Sequence, residues 1–221
     1  EDTLSREIYT LRIRNLKTGR WLDEAIENTA GDYAWANDNR TLFYVTGDPV
    51  TLRPDRIYRH RLGDDPANDQ LVYHETDPGF SVSVEKSRDD RWIILGASAT
   101  LSDEFWLIDA DVPDEKPRCI LARRPGHEYT VEVLADEVFF LSNWEAPNFR
   151  LLRASLESVQ QTDTWDEVVP AREEVLLEDF TVFRNFVALS ERSGASLKLR
   201  VIDRRDGSSR LIEADEPSYT M

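Results

Sequence analysis

The sequence contains a single cysteine, Cys119, and a single methionine, Met221. One cysteine excludes a disulfide within the chain and favours a reducing compartment, so we predict a soluble, cytoplasmic protein. No apolar run reaches the length of a bilayer span, and no basic-then-apolar signal opens the chain, so no membrane association is expected. The sequence does not begin with methionine, and we therefore expect it to be a piece of a longer chain.

Basic residues are scarce relative to acidic ones: 27 Lys and Arg stand against 43 Asp and Glu, for a formal net charge of −16. Nucleic acids and anionic membranes are polyanions, so this excess argues against both as partners. A cationic partner is favoured. The alternative is that the acidic surface only keeps the protein soluble.

Long 3.6-residue apolar stripes are also absent, and alternation with period two prevails instead. Segments 153–163 and 171–178 have the length of short helices, but neither carries such a stripe. Residues 32–75 contain four short runs rich in Val, Tyr, Phe and Leu, separated by polar turn clusters, as expected for four antiparallel strands. The same unit, with an Asp/Asn-rich turn after its first strand, recurs roughly every 45 to 50 residues, which is the spacing of propeller blades.

This recurrence predicts an all-β fold, a β-propeller fragment of about four and a half blades with four strands each. A two-sheet sandwich is the competing architecture, but it does not explain why the whole unit repeats. The predicted divisions are a half blade, four blades and a lead into the next one, at residues 1–30, 31–76, 77–123, 124–170, 171–214 and 215–221.

No catalytic constellation stands out. Ser98 lies in Gly96-Ala-Ser-Ala-Thr100, where Thr100 occupies the position at which a nucleophile elbow needs glycine, so we interpret Ser98 as a turn serine. His60, His74 and His127 are not spaced as metal ligands, and each is expected to be structural or at the surface. The acidic clusters lack the pattern of a calcium loop, and the nine glycines form no phosphate loop, so no metal and no cofactor are predicted.

The loops that join second to third strands would form one rim of a propeller, where a partner or companion domain docks. We predict these rim loops at 47–55, 97–104, 143–148 and 191–195, with residues 2–7 as a possible segment of the same rim. Arg6 and Glu7 are therefore candidates for interdomain contacts, and surface solvation is the alternative interpretation.

Several short motifs, in order along nearly the whole chain, closely resemble the propeller domain of oligopeptidase B-type enzymes of the prolyl oligopeptidase family. The motifs are Trp35-Ala-Asn-Asp38, Thr51-Leu-Arg-Pro54, Tyr58-Arg-His60, Phe80-Ser-Val-Ser-Val84, Ala97-Ser-Ala-Thr100, Arg123-Arg124, His127-Glu-Tyr129, Pro170-Ala-Arg-Glu173 and Leu177-Glu-Asp-Phe180.

The resemblance implies a seven-bladed propeller that gates an α/β-hydrolase domain with a Ser-Asp-His triad, in a peptidase that cleaves oligopeptides after Lys or Arg. No triad motif occurs in this sequence, so the resemblance places no catalytic residue here and implies that the chain alone is inactive. Its implied partners are the catalytic domain and basic oligopeptides. The alternative from a different class is a stand-alone propeller that binds a protein partner.

Overall fold

The computed structural model describes Asp2, residues 6–194 and residues 196–212. Within these residues, seventeen strands and two single-turn 3₁₀ helices, Pro66–Asn68 and Thr162–Thr164, make up the regular structure. Each sheet is a meander in which strands that follow one another in sequence are neighbours. The predicted all-β class is confirmed.

The strands form four sheets. The first has five strands: β1 (Tyr9–Arg14), β2 (Trp21–Trp35), β3 (Thr41–Gly47), β4 (Pro54–Arg61) and β5 (Gln70–His74). The second has four: β6 (Ser81–Lys86), β7 (Trp92–Ala99), β8 (Ser102–Asp109) and β9 (Arg118–Leu121). The third comprises β10 (Tyr129–Leu134), β11 (Glu137–Ser142), β12 (Arg150–Ser155) and β13 (Asp166–Val169). The fourth comprises β14 (Val175–Val182), β15 (Phe186–Ser193), β16 (Ser196–Asp203) and β17 (Ser209–Ile212).

The structure differs from the sequence-based division at residue 30. Strand β2 runs through that boundary, pairing first with β1 and then with β3, so the expected half blade and first blade share one five-stranded sheet. Asn28 (φ 61°) adopts left-handed backbone where the register with β1 shifts, and Gly31 (φ 104°) does so where the register with β3 shifts. Such a bulge bends a strand without a loop, and period-two alternation does not reveal it.

The chain divides into two compact units, one of residues 1–100 and 104–119, the other of residues 101–103 and 120–221. Each has its own apolar core, formed where alternate side chains of the strands point to one face. In the first unit the core includes Phe43, Val45, Ile57, Val82, Ile93 and Leu95. In the second it includes Phe139, Leu141, Leu151, Phe180, Leu189 and Ile202.

The polar turn predicted between first and second strands is present in both sheets of the first unit. The Asp38 carboxylate accepts hydrogen bonds from the Arg40 and Thr41 amides at 2.9 and 2.8 Å. Burial alone would raise the pKa of Asp38, but hydrogen bonds from Thr41 and Arg40 outweigh it and hold the pKa below its ordinary value. In the next sheet the Ser87 hydroxyl donates to Asp89 at 2.6 Å.

Leu95→Ala is expected to lower the free energy of unfolding by about 2–5 kcal/mol, because truncating a fully buried core side chain leaves a cavity. Leu101→Ala is the matched control: Leu101 is 61% exposed, and its truncation should change stability by less than about 0.5 kcal/mol. Urea denaturation followed by tryptophan fluorescence measures both. Equal effects of the two substitutions would contradict the assigned core.

Candidate functional site

Two of the four predicted rim loops are long enough to present a surface: 48–53 between β3 and β4, and 143–149 between β11 and β12. The predicted loop 97–104 is instead a hairpin with a turn at residues 100–101. The predicted loop 191–195 shortens in the same way because Ser193 still pairs with Ser196, and Ala195 lies outside the described residues. The two long loops, here called the first and second rim loops, are two separate candidate sites, one in each unit described above.

The first rim loop is held in shape by Asp48. Its carboxylate accepts hydrogen bonds from the amides of Val50 and Thr51 at 2.9 and 2.8 Å, and these bonds lower the pKa of Asp48. Leu52 closes the turn with left-handed backbone at φ 62°. The loop therefore projects Val50, which is 87% exposed, from a fixed backbone.

Charged groups anchor the base of this loop. The Arg53 guanidinium donates to the carbonyl oxygens of Phe80 and Glu75, which ties the loop to the chain that enters the second sheet. The buried Asp55 carboxylate lies 2.9 Å from Arg56 Nη1 and 3.9 Å from Arg53 Nη2. A buried carboxylate requires such partners, so the anchor depends on the ion pairs.

Side-chain amides anchor the second rim loop at both ends. Asn143 accepts from the Glu128 amide at 2.9 Å and donates to the Gly126 carbonyl at 3.0 Å. Asn148 donates to the carbonyl oxygens of Arg172 and Glu173 at 3.0 and 2.7 Å. Because both of its ends are hydrogen-bonded, the loop behaves as part of the scaffold.

Trp144 of the second rim loop is part of an aromatic cluster. The Arg124 guanidinium sits 4.8 Å from the centre of the Trp144 ring, in the geometry of a cation–π pair. The ring of Trp144 meets that of His127 edge-on at 5.2 Å, and His127 stacks on Tyr129 at 4.8 Å. Burial, together with the charge of Arg124, lowers the pKa of His127 to about 4, so the imidazole is neutral at physiological pH.

His127 also lies 2.8 Å from the Ser142 hydroxyl through Nε2, a pairing that superficially suggests a nucleophile and its base. Ser142 is fully buried, however, and its oxygen also accepts a hydrogen bond from the Trp144 amide at 3.1 Å. A substrate carbonyl has no access to this oxygen, and the pair is structural. Sequence reasoning expected a structural or surface role for His127 but did not find Ser142, which is fifteen residues away.

The other candidates from the sequence occupy separate places. Ser98 is an exposed residue of strand β7, opposite Ser81, and the interpretation of it as a turn serine is corrected because β7 continues to Ala99. His74 is exposed, with Nε2 3.7 Å from Asp55. His60 is fully buried in β4.

The amides of Arg6 and Glu7 both donate to the Asp2 carboxylate at 2.9 Å, and their own side chains are exposed. This arrangement leaves the side chains available for outside partners. Their interdomain contacts remain a prediction.

Within the described ranges, no group of three or more His, Cys, Asp or Glu side chains is arranged to hold a metal ion. The helices found in the same ranges are each too short and too polar to cross a membrane.

Comparison with known proteins assigns the family. Residues 1–221 match the family model described as prolyl oligopeptidase, N-terminal β-propeller domain. The chain belongs to this family. Over 96% of its length it superposes on oligopeptidase B from Leishmania major with a TM-score of 0.87 at 25% identity, covering 31% of that chain. The predicted partial β-propeller and the resemblance to oligopeptidase B are confirmed.

Curated relatives in this family are named as peptidases. The chain is 36% identical to dipeptidyl aminopeptidase BI of Pseudoxanthomonas mexicana, over 100% of the chain and 30% of that protein. It is 32% identical to protease 2 of Moraxella lacunata, over 96% of the chain and 30% of that protein. The chain thus spans about a third of the length of the relatives it matches.

The low pKa of His127 predicts loss of stability on acidification. The unfolded chain binds a proton near pH 6.5 while the folded protein resists it until about pH 4, so stability falls as pH drops through that window. One proton contributes at most about 1.4 kcal/mol per pH unit. Unfolding free energy measured from pH 7 to pH 4 should show a shallower slope in His127→Gln. His74→Gln is the control. If unfolding free energy varied with pH by the same slope in His127→Gln and in the wild type, the assignment of the low pKa to His127 would be contradicted.

Proposed function

We propose that this chain is the non-catalytic propeller of an oligopeptidase B-like serine peptidase, where it docks against an α/β-hydrolase domain and limits which peptides enter. The observation that carries the proposal is the first rim loop, a rigid backbone that presents the exposed Val50. Family membership supports it, because the matched relatives are peptidases more than three times as long as this chain.

The docking step uses apolar contact at the rim. An exposed branched side chain on a fixed loop loses little conformational freedom when a partner covers it. Burial of its apolar area therefore contributes nearly in full to the free energy of docking. Leu52, in the same loop, adds exposed apolar surface. We place the hydrolase domain against this surface.

The gating step concerns basic peptides cleaved after Lys or Arg. A net charge of −16 raises the local concentration of cationic peptides and accelerates their association, and added salt screens this attraction. A second candidate function is release of dipeptides from free amino termini, favoured by the 36% identity to a dipeptidyl aminopeptidase.

Val50→Asp should impair docking, because it forces a charge into an apolar contact. For the full-length gene product we expect kcat/KM to fall about tenfold, the factor that 1.4 kcal/mol represents. Val112→Asp is the matched control, since Val112 is also an exposed valine but lies in the turn after β8, at the opposite end of its sheet. Peptide hydrolysis measures both. Equal losses of kcat/KM in the two variants, or no loss in Val50→Asp, would show that the first rim loop is not part of the docking surface.

Substrate choice is tested with three reporter peptides given to the full-length gene product: one with Arg before the scissile bond and a blocked amino terminus, one with Arg and a free amino terminus, and one with norleucine. We expect the blocked Arg peptide to be cleaved, with an association rate that falls as salt rises. Cleavage of the free peptide alone would favour the dipeptidyl function. Cleavage without preference for Arg would contradict the proposed specificity.

The 221-residue chain alone should not hydrolyse the reporter. Turnover that disappears in Ser98→Ala would overturn its non-catalytic role, whereas turnover that persists in Ser98→Ala would indicate a contaminating peptidase.

A further inference from the structure

His60 is fully buried and lies between two carboxylates. Its Nδ1 is 2.8 Å from Asp69 Oδ1, and its Nε2 is 2.9 Å from Glu24 Oε2. An ionised carboxylate can only accept hydrogen bonds, so both ring nitrogens must donate. With both carboxylates ionised, the arrangement fits the doubly protonated, cationic imidazolium.

The two carboxylates belong to different parts of the first unit. Glu24 lies in the first part of β2, in the β1–β2 hairpin, and its Oε1 also accepts from the Gly63 amide at 2.9 Å. Asp69 follows the 3₁₀ helix Pro66–Asn68, and its Oδ2 accepts from the Tyr44 hydroxyl at 2.8 Å. His60 in β4 thus joins the hairpin to the body of the first sheet through one cation.

A crevice of about 480 Å³ lies beside this junction. Its lining includes Glu27 and Asn28 of the hairpin strand as well as Tyr44, Tyr58 and Asp69. The first rim loop also contributes to the lining, through residues 48, 49 and 52. A change in how the hairpin is held would change the width of this crevice.

We propose that cationic His60 is a latch: it holds the β1–β2 hairpin against the first sheet, and loss of its proton as pH rises frees the hairpin and widens the crevice that the first rim loop helps to line. The latch does not depend on the proposed peptidase role, because its parts all lie within the first unit.

Deprotonation breaks the latch for a geometric reason. A neutral imidazole has only one N–H donor, so its other nitrogen would direct a lone pair at a carboxylate oxygen. In a buried site this unpaired contact is unfavourable, because no water replaces the lost hydrogen bond. Apolar contacts of Ile13 and Ile26 with Leu42 and Tyr44 remain, so the hairpin loosens without unfolding.

The sign of the pH effect follows from the charges around the ring. Burial disfavours the cation, but the hydrogen bonds and charges of Glu24 and Asp69 outweigh it and raise the pKa of His60 above 6.5. The contribution of His60 to the free energy of unfolding is therefore complete below pH 6.5, its pKa in the unfolded chain. This contribution is lost as pH rises through the higher pKa of His60 in the folded protein. The other ionisable groups facing the network are Tyr44 and its stacked neighbour Tyr58, and the pKa of Tyr44 is raised by burial and by Asp69.

Hydrogen exchange read by mass spectrometry on the full-length gene product tests the latch. Between pH 6 and pH 9, after correction for the chemical exchange rate, amides of residues 9–28 should lose protection about tenfold or more in the wild type. His60→Gln should exchange rapidly at every pH, and Glu24→Gln should lose most of the pH dependence. His74→Gln, which alters an exposed histidine in the neighbouring strand, should behave as wild type.

Constant protection of residues 9–28 in the wild type across this range would overturn the proposal, as would an unchanged pH dependence in Glu24→Gln. Both of these results are obtained without His60→Gln, so the test remains decisive even if that variant does not fold. A second readout is the ¹⁵N spectrum of histidine-labelled protein, in which His60 should show two protonated ring nitrogens at pH 6. A neutral ring at that pH would also refute the latch.

Discussion

Burial of both faces of the middle strands is the constraint on which the rest of the structure depends. In β3, β7 and β11, at least five consecutive residues are buried, so side chains pointing to opposite faces are all removed from water. A sheet of this kind cannot be stable alone, because each of its faces needs an apolar neighbour. Within each unit the apolar core meets this need, because it joins the first sheet to the second and the third sheet to the fourth.

The strand pattern could be predicted from the sequence because it is local. Alternation and turn residues indicated four strands in residues 32–75, and this segment contains the end of β2 together with β3, β4 and β5. Where pairing between strands set the ends of an element, the prediction from sequence was less accurate. The hairpin at 100–101 and the continuous β2 both extend pairing through residues whose composition indicates a loop or a boundary.

The polar networks could not have been found in this way. His60 faces Glu24, thirty-six residues earlier, and Asp69, nine residues later, and their hydrogen bonds and charges outweigh burial and raise its pKa. His127 is neutral because it is buried under Trp144 and close to Arg124. Two histidines with the same description at the level of sequence thus have pKa values shifted in opposite directions, since the shifts are set by neighbours that only the folded chain brings together.

The two rim loops are anchored by different chemistry, and this difference gives each its own sensitivity to the medium. The second loop is held through the neutral amides of Asn143 and Asn148, which do not titrate and which salt does not screen. The first depends on Arg53 and Arg56, which pair with the buried Asp55 and are therefore held by charge. Weakening of that ion pairing would therefore loosen the base of the first loop and leave the anchors of the second loop in place.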